Sequence, residues 1–385
     1  MNAIKIVLFA AILFNQAEAQ DTPVTLTRQQ ALEDIHWLKF ALEYCHPRLY
    51  KYDTKQTVDA RFDSVTNLIK STITGADFLN HVAGLNAAVR CGHLYTIPQQ
   101  DLEKEILAKR IMPFYIKIIN RNLHLFNNCS KDNNISNGSQ ILSINGRLAA
   151  DIINNILPIV PADGYIESRK YKLIERYFYP SFQGFDLFYY LRIDKEETFR
   201  VEYLDQKTKK RSTALLQGIT RDQRRTVLKT KYHIDERQWF HTPSPAVFMD
   251  AKNNYVVLTI SRSFYDKAVD PDYDATLKTF FSELKARSIK NLIIDLRNNE
   301  GGSEHQQSLL MSYLFSQPFR LYEHIYVSRL DYRPLKPIIH AAEKDTSRLL
   351  DNNEDQWMRK LSDNLWINNY EYYEGLQLQP PQDNV

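Results

Sequence analysis

Apolar positions along the chain change their spacing twice. From residue 23 to about 105 they recur every three to four residues. Leu32, Ile35, Leu38, Phe40 and Leu42 form one such stripe, the mark of an amphipathic helix with Thr27 at its cap. His46-Pro47 ends it, because the residue before a proline is pushed out of helical backbone. A second helix is predicted over 57–69. A third, after Thr74-Gly75, carries Phe78, Leu79, Val82, Leu85 and Val89, ends at Gly92 and gives way to an extended segment.

From 108 to about 220 the apolar runs shorten to strand length. Residues 114–119 and 123–126 read as a hairpin turned at Asn120-Arg121-Asn122, and the polar 127–137 as a loop. Residues 138–156 read as strand, Asn145-Gly146 turn and amphipathic helix. Strands return at 198–203 and 212–216 around a solvated basic tip, and the charged 219–240 is predicted to be a linker. The aromatic-rich 161–191 either lines a peptide groove or fills a core. Beyond 241 come a strand at 254–260, a helix at 274–290, a strand at 292–294, a glycine turn and a helix over 306–314. Strand, helix, strand implies a parallel pair in an α/β sheet.

Lys5, the apolar run Ile6 to Phe14 and Ala17-Glu18-Ala19 read as a secretory signal peptide cleaved after residue 19; the run is too short to span a bilayer. An exported protein, periplasmic or secreted in a bacterium, is expected, with no integral span after cleavage. The remaining residues, about 365, exceed one small domain. Hydrophobic residues make up 43% of the chain and the net charge is +3, which supports a sizeable core and gives no reason to expect nucleic acid. Cys45, Cys91 and Cys129 match no metal motif by spacing. No phosphate-binding glycine loop or internal repeat is present, so neither metal nor other cofactor is expected.

The chemistry-bearing stretch is NLIIDLRNNEGGS, 291–303. Paired glycines at a strand-to-helix turn admit positive φ and leave N–H groups free for an anion or a developing oxyanion, although an ordinary turn is the plainer reading of two glycines. The whole string resembles the (L/I)-I-(L/I)-D-L-R-x-N-x-G-G signature of the carboxyl-terminal processing, or tail-specific, serine peptidases and their tricorn-core-like relatives. That resemblance implies oxyanion donors at Gly301 and Gly302, with Asp295 and Arg297 as an ion pair or turn-holding contacts.

Two further strings follow the same family order. VRCGHLYTI, 89–97, stands where the tricorn-like branch has D-G-H-T. The resemblance implies that His93 is the general base, with Cys91 in place of the usual acid; on composition alone His93 is a structural or surface histidine. GSQILSING, 138–146, resembles the PDZ hallmark G-D-x-(I/L)-L-x-I-N-G, implying either a peptide site built by strand addition or a spacer. Residues 254–264 resemble the strand that opens the catalytic domain, with Phe264 as a packing residue. The fold implied is α+β and multidomain: signal peptide 1–19, helical region 23–105, PDZ-like module 108–220 with its aromatic-rich insertion, and an incomplete α/β (ClpP/crotonase-like) protease domain 241–385 with an exposed sheet edge.

The family's nucleophilic serine lies on a later strand-to-helix turn, and no such string follows Gly302. Ser303 falls on the oxyanion turn and is a poor attacker there. The resemblance therefore implies an exported serine peptidase acting on proteins or peptides, with its nucleophile segment beyond Val385. The alternative is an inactive peptide-binding protein that uses the PDZ-like and degenerate protease domains. A different enzyme of the crotonase-like superfold is the third reading, set aside because of the tail-specific motifs. Peptide preference and oligomeric state are not legible.

Overall fold

The computed structural model describes residues 23–132, 134–179, 182–234, 243–250, 254–264, 266, 269–338, 358–368 and 377–382. The signal-peptide expectation falls outside them. No helix among the described residues is long and apolar enough to cross a membrane.

The N-terminal region begins with β1 (Thr25–Leu26) and α1 (Arg28–Cys45), followed by α2 (Lys55–Leu68), β2 (Ile73–Thr74), α3 (Gly75–Ala88) and α4 (Gln100–Ala108). Thr27 and Gln30 form a reciprocal capping box at the start of α1, and His46 closes it. Ala31, Ile35, Leu42, Val58, Phe62 and Leu85 pack into one core, against which Cys91 and Leu94 lean. The third helix stops earlier than predicted. Arg90 takes the left-handed conformation at φ 60, so the chain turns there rather than at Gly92. Helix α4 was not predicted as a separate element, although most of it falls in the region expected to be helical; Leu102 and Ile106, one turn apart, supply its only buried apolar positions.

The next region is an antiparallel sheet of β3 (Phe114–Ile119), β4 (Asn122–Asn128), β5 (Gln140–Ile144), β6 (Arg147–Leu148), β9 (Thr198–Leu204) and β10 (Arg211–Gln217), ordered β10-β9-β5-β4-β3 with β6 beside β5. Between β6 and β9 lie α5 (Ala149–Ile156), α6 (Glu167–Glu175), the small hairpin β7 (Tyr177–Tyr179) and β8 (Phe182–Gln183), and α7 (Gly184–Arg192). The aromatic insertion resolves into core here: Phe182, Phe185, Phe188 and Tyr189 are buried with the sheet's Phe114, Leu125 and Val201.

The expected linker is instead α8 (Arg221–Tyr232), opened by a Thr220/Gln223 capping box. Charge misled the prediction because Arg224 is a buried residue. Its guanidinium reaches Asp186 Oδ2 at 2.6 Å, Gln183 Oε1 at 3.0 Å and the Met112 carbonyl at 3.2 Å, and lies 4.3 Å over the Tyr115 ring. A buried cation needs acceptors of this kind, and here they serve the two terminal nitrogens.

The last region contains β11 (Ala246–Asp250), β12 (Tyr255–Thr259), α9 (Tyr273–Ala286), β13 (Asn291–Asp295) and α10 (Glu304–Ser312), then β14 (Tyr326–Val327), β15 (Met358–Ser362) and β16 (Leu365–Asn368). Strands β12 and β13 are parallel and in register from Tyr255↔Asn291 to Thr259↔Asp295, joined through α9 as predicted. Val256 and Leu258 point to the face covered by Phe280, Phe281, Leu310 and Tyr313. On the opposite face, Phe248, Val257 and Ile293 align across the three strands, and Phe248 and Ile293 are exposed. Phe264, expected to pack, is also exposed. At the end of β12 it is Ser263 that turns inward, toward the glycine turn.

Candidate functional site

The glycine turn is built by Asn299. Its side-chain amide donates to the Ile260 carbonyl at 3.0 Å and to Ser263 Oγ at 3.1 Å, and its Oδ1 accepts the Gly301 N–H at 2.8 Å. One side chain thus fastens the loop after β12 to the loop after β13. The Ser263 N–H donates to the Gly301 carbonyl at 3.1 Å, the Ser303 N–H donates to the Ser263 carbonyl, and a parallel bridge forms between Ser263 and Gly302.

Both glycines have positive φ, 93° at Gly301 and 144° at Gly302. Their surroundings differ. A Cβ on Gly301 would meet nothing within 4 Å, whereas one on Gly302 would fall well under 3.0 Å from the Ser263 carbonyl and 2.8 Å from the Phe264 nitrogen. Their amides differ too. The Gly301 N–H is taken by Asn299, while the Gly302 N–H has no partner among the described residues, is exposed, and immediately precedes the first turn of α10. A free amide beside a helix N-terminus favours negative charge. Asp295 and Arg297 form a bidentate ion pair at 2.9 and 2.6 Å that holds Asp295 down at about 2.

His93 occupies a tight turn closed by the Leu94 N–H donating to the Cys91 carbonyl at 3.2 Å. It is exposed, and no described residue hydrogen-bonds its ring. The Gly92 N–H donates to Asp163 Oδ1 at 2.8 Å, and a Cβ on Gly92 would lie 2.6 Å from Asp163 Oδ2, so only glycine lets this carboxylate sit against the turn. Asp163 is the acidic neighbour that the sequence offered no sign of.

The histidine turn and the glycine turn are tied through α6. Arg169 donates to the Tyr95 hydroxyl at 2.8 Å and forms an ion pair with Glu300, the residue before Gly301; Arg176 lies 3.7 Å from the same carboxylate. Burial disfavours charge on both arginines. At Arg169 the ion pair outweighs burial and raises its pKa, whereas at Arg176 burial prevails and lowers it. Arg169 and Glu300 were not picked out from sequence, and Asn299, at the asparagine position of the signature string, was read only as part of the polar turn.

Among the serines near the turn, Ser263 is buried with its hydroxyl against Asn299. Ser303 is exposed and stands at the N-cap of α10 without a side-chain cap bond. Neither is hydrogen-bonded to His93.

Residues 255–333 match the peptidase family S41. This S41 segment runs from β12 through the glycine turn and α10. Among solved structures, a crystal structure of a CPAF point mutant aligns with 93% of this chain and 77% of its own, at 12% identity and a TM-score of 0.53, a likeness of fold. Mature CPAF aligns at 13% identity and a TM-score of 0.47, over 78% of this chain and 61% of its own. Mature CPAF complexed with lactacystin gives 13%, 0.49, 78% and 62% in the same order. No curated protein matches the chain.

Proposed function

We propose that the protein is an exported serine peptidase of the tail-specific kind, acting on proteins or peptides. His93 is the general base, the Gly302 N–H is an oxyanion donor, and the nucleophilic serine comes from chain outside residues 1–385. Gly301 shapes the turn, its own N–H being engaged by Asn299. The observation that carries this reading is the Gly302 amide at the head of α10, without a partner among the described residues and inside the segment that matches family S41. Acyl transfer develops negative charge on a carbonyl oxygen, and a fixed N–H aimed at that oxygen lowers the barrier because it need not reorganise. A neutral imidazole has a ring nitrogen that can take a proton from a hydroxyl nucleophile.

Peptide delivery is assigned to the PDZ-like module. The outer edge of β3 is partly closed, since the Ile118 N–H donates to Glu175 Oε1 at 2.7 Å, which leaves β10 as the edge for strand addition.

The test uses protein from its native source: labelling by a fluorophosphonate probe, peptide hydrolysis, and mapping of the labelled residue. The expected label falls on a serine beyond Val385, and His93→Gln lowers kcat by about 10²–10⁴-fold. Full turnover in His93→Gln would remove His93 from the mechanism. A second reading, a peptide-binding protein without turnover, is favoured by the placement of Ser263 and Ser303, neither of which contacts His93. Saturable peptide binding with no label and no hydrolysis would establish it.

A further inference from the structure

We propose that Cys91, His93 and Asp163 form a zinc-binding site. The donor atoms of the three side chains all lie within 4.8 Å of one another. Two come from one tight turn, and the third comes from a loop 71 residues from Gly92 in sequence, which is why cysteine and histidine spacing gave no hint of a metal.

The framework is fixed in three places. The turn is closed from Leu94 to Cys91, the Gly164 N–H donates to the Arg90 carbonyl at 3.0 Å and stitches the two loops together, and the Gly92 N–H holds one carboxylate oxygen of Asp163. Cys91 is anchored by packing on the helical core. The neighbouring cation is engaged by another group: Arg90 donates to the Tyr165 hydroxyl at 2.8 Å and stacks 4.3 Å over that ring.

Thiolate, imidazole and carboxylate are the donors zinc takes, and one thiolate with one carboxylate neutralises its double charge. Tetrahedral zinc at its usual bond lengths separates its donors by about 3.3–3.8 Å, so closure needs small rotations of two exposed side chains, His93 and Asp163. Three protein ligands leave the fourth position to water.

Zinc and proton abstraction compete for the same imidazole. On the peptidase reading, a bound ion therefore holds His93 out of catalysis, and this consequence rests on that reading. The binding claim rests on the three side chains alone.

Cobalt(II) is the probe, titrated into the reduced full chain and then displaced by zinc. The expected result is a near-ultraviolet thiolate-to-cobalt band. Cys91→Ser abolishes it, while His93→Gln and Asp163→Asn each weaken affinity by more than about tenfold, as loss of a ligand must when even outer partners cost that much. Asp163→Asn keeps an acceptor for the Gly92 N–H, so the turn survives the change. Absence of the band, or a band that survives Cys91→Ser, overturns the proposal, because the metal would then be absent or held by Cys45 or Cys129. Failure of the peptidase reading would leave these spectra unchanged. A failed titration alongside a kcat that depends on His93 would remove the metal site alone.

Discussion

Adding one methyl group at Gly301 or at Gly302 separates backbone conformation from close packing within a single turn. At Gly301 only the positive φ opposes an alanine, since a Cβ there meets empty space; the cost of such a conformation is about 1–2 kcal/mol. At Gly302 the same strain is joined by collision with the Ser263 carbonyl. The two segments must part, and the bonds from Ser263 N–H to the Gly301 carbonyl and from Ser303 N–H to the Ser263 carbonyl are weakened or lost. Each net bond is worth about 0.5–1.5 kcal/mol, with more lost where a buried group goes unpaired, so Gly302→Ala is expected to cost about 3–6 kcal/mol in all.

Urea unfolding gives the order of the two losses, and hydrogen exchange gives their location. The Ser263 and Ser303 amides should lose protection in Gly302→Ala and keep it in Gly301→Ala. On the peptidase reading, turnover follows the same order. Displacing one oxyanion donor costs about 10²–10³-fold in kcat, whereas the Gly301 amide is already committed to Asn299. Equal destabilisation by the two alanines, or persistent protection of Ser263 and Ser303 in Gly302→Ala, would refute the account of the bridge.

Arg224→Ala should destabilise the chain by about 3–5 kcal/mol by stranding the buried Asp186 carboxylate, and the double change Arg224→Met with Asp186→Leu should cost less, as measured by urea midpoints. On the peptidase reading, Arg169→Ala, which cuts the tie between Tyr95 and Glu300, should lower kcat by about 10–100-fold through misplacement of the two turns, with little change in the unfolding midpoint; a lowered midpoint with intact kcat would make the tie merely structural. Asp205 accepts the backbone N–H groups of Thr208, Ser136 and Lys207, and its bonds from Thr208 and Ser136 hold its pKa well below the usual carboxylate value. Its stabilisation is therefore fully present above the unfolded pKa and fades as pH falls toward the folded one. Asp205→Asn should flatten this part of the acid limb of a stability–pH curve, and an unchanged limb would count against the hydrogen-bonded anion.

Period and caps made much of the fold legible. The Thr27 cap, the hairpin over 114–126 and the strand–helix–strand through Leu292 needed only local information, because each is decided by neighbours within a few residues. What escaped the sequence depends on distant partners. Arg224 looked like linker charge because Asp186 and Gln183, which make its burial tolerable, belong to another helix and strand. Gly92 looked like a helix stop, but the space it leaves belongs to Asp163. Phe264 looked like core, and only the inward turn of Ser263 toward Gly302 sends it outward. At the site, the signature string located the glycine turn without distinguishing an occupied amide from a free one, a difference that one side-chain carbonyl of Asn299 decides.

The two halves of the candidate site rest on different cores. The histidine turn leans on Ile35, Leu85 and Val89 through Cys91 and Leu94, whereas the glycine turn closes a sheet whose buried Val256 and Leu258 pack in one cluster with Phe281 of α9. Apolar packing fixes each turn within its own region and says little about the distance between them. That distance is left to directional contacts: Tyr95 through Arg169 to Glu300, Arg176 beside the same carboxylate, and farther off the Tyr44 hydroxyl donating to the Asp331 carbonyl at 2.9 Å. Polar ties between packed bodies are weaker than a shared core and are readily screened where exposed, as Glu300 is at 47%. On the peptidase reading, such an arrangement permits small relative motion of the base and the oxyanion donor while each keeps its local geometry, as closing on a substrate chain would require.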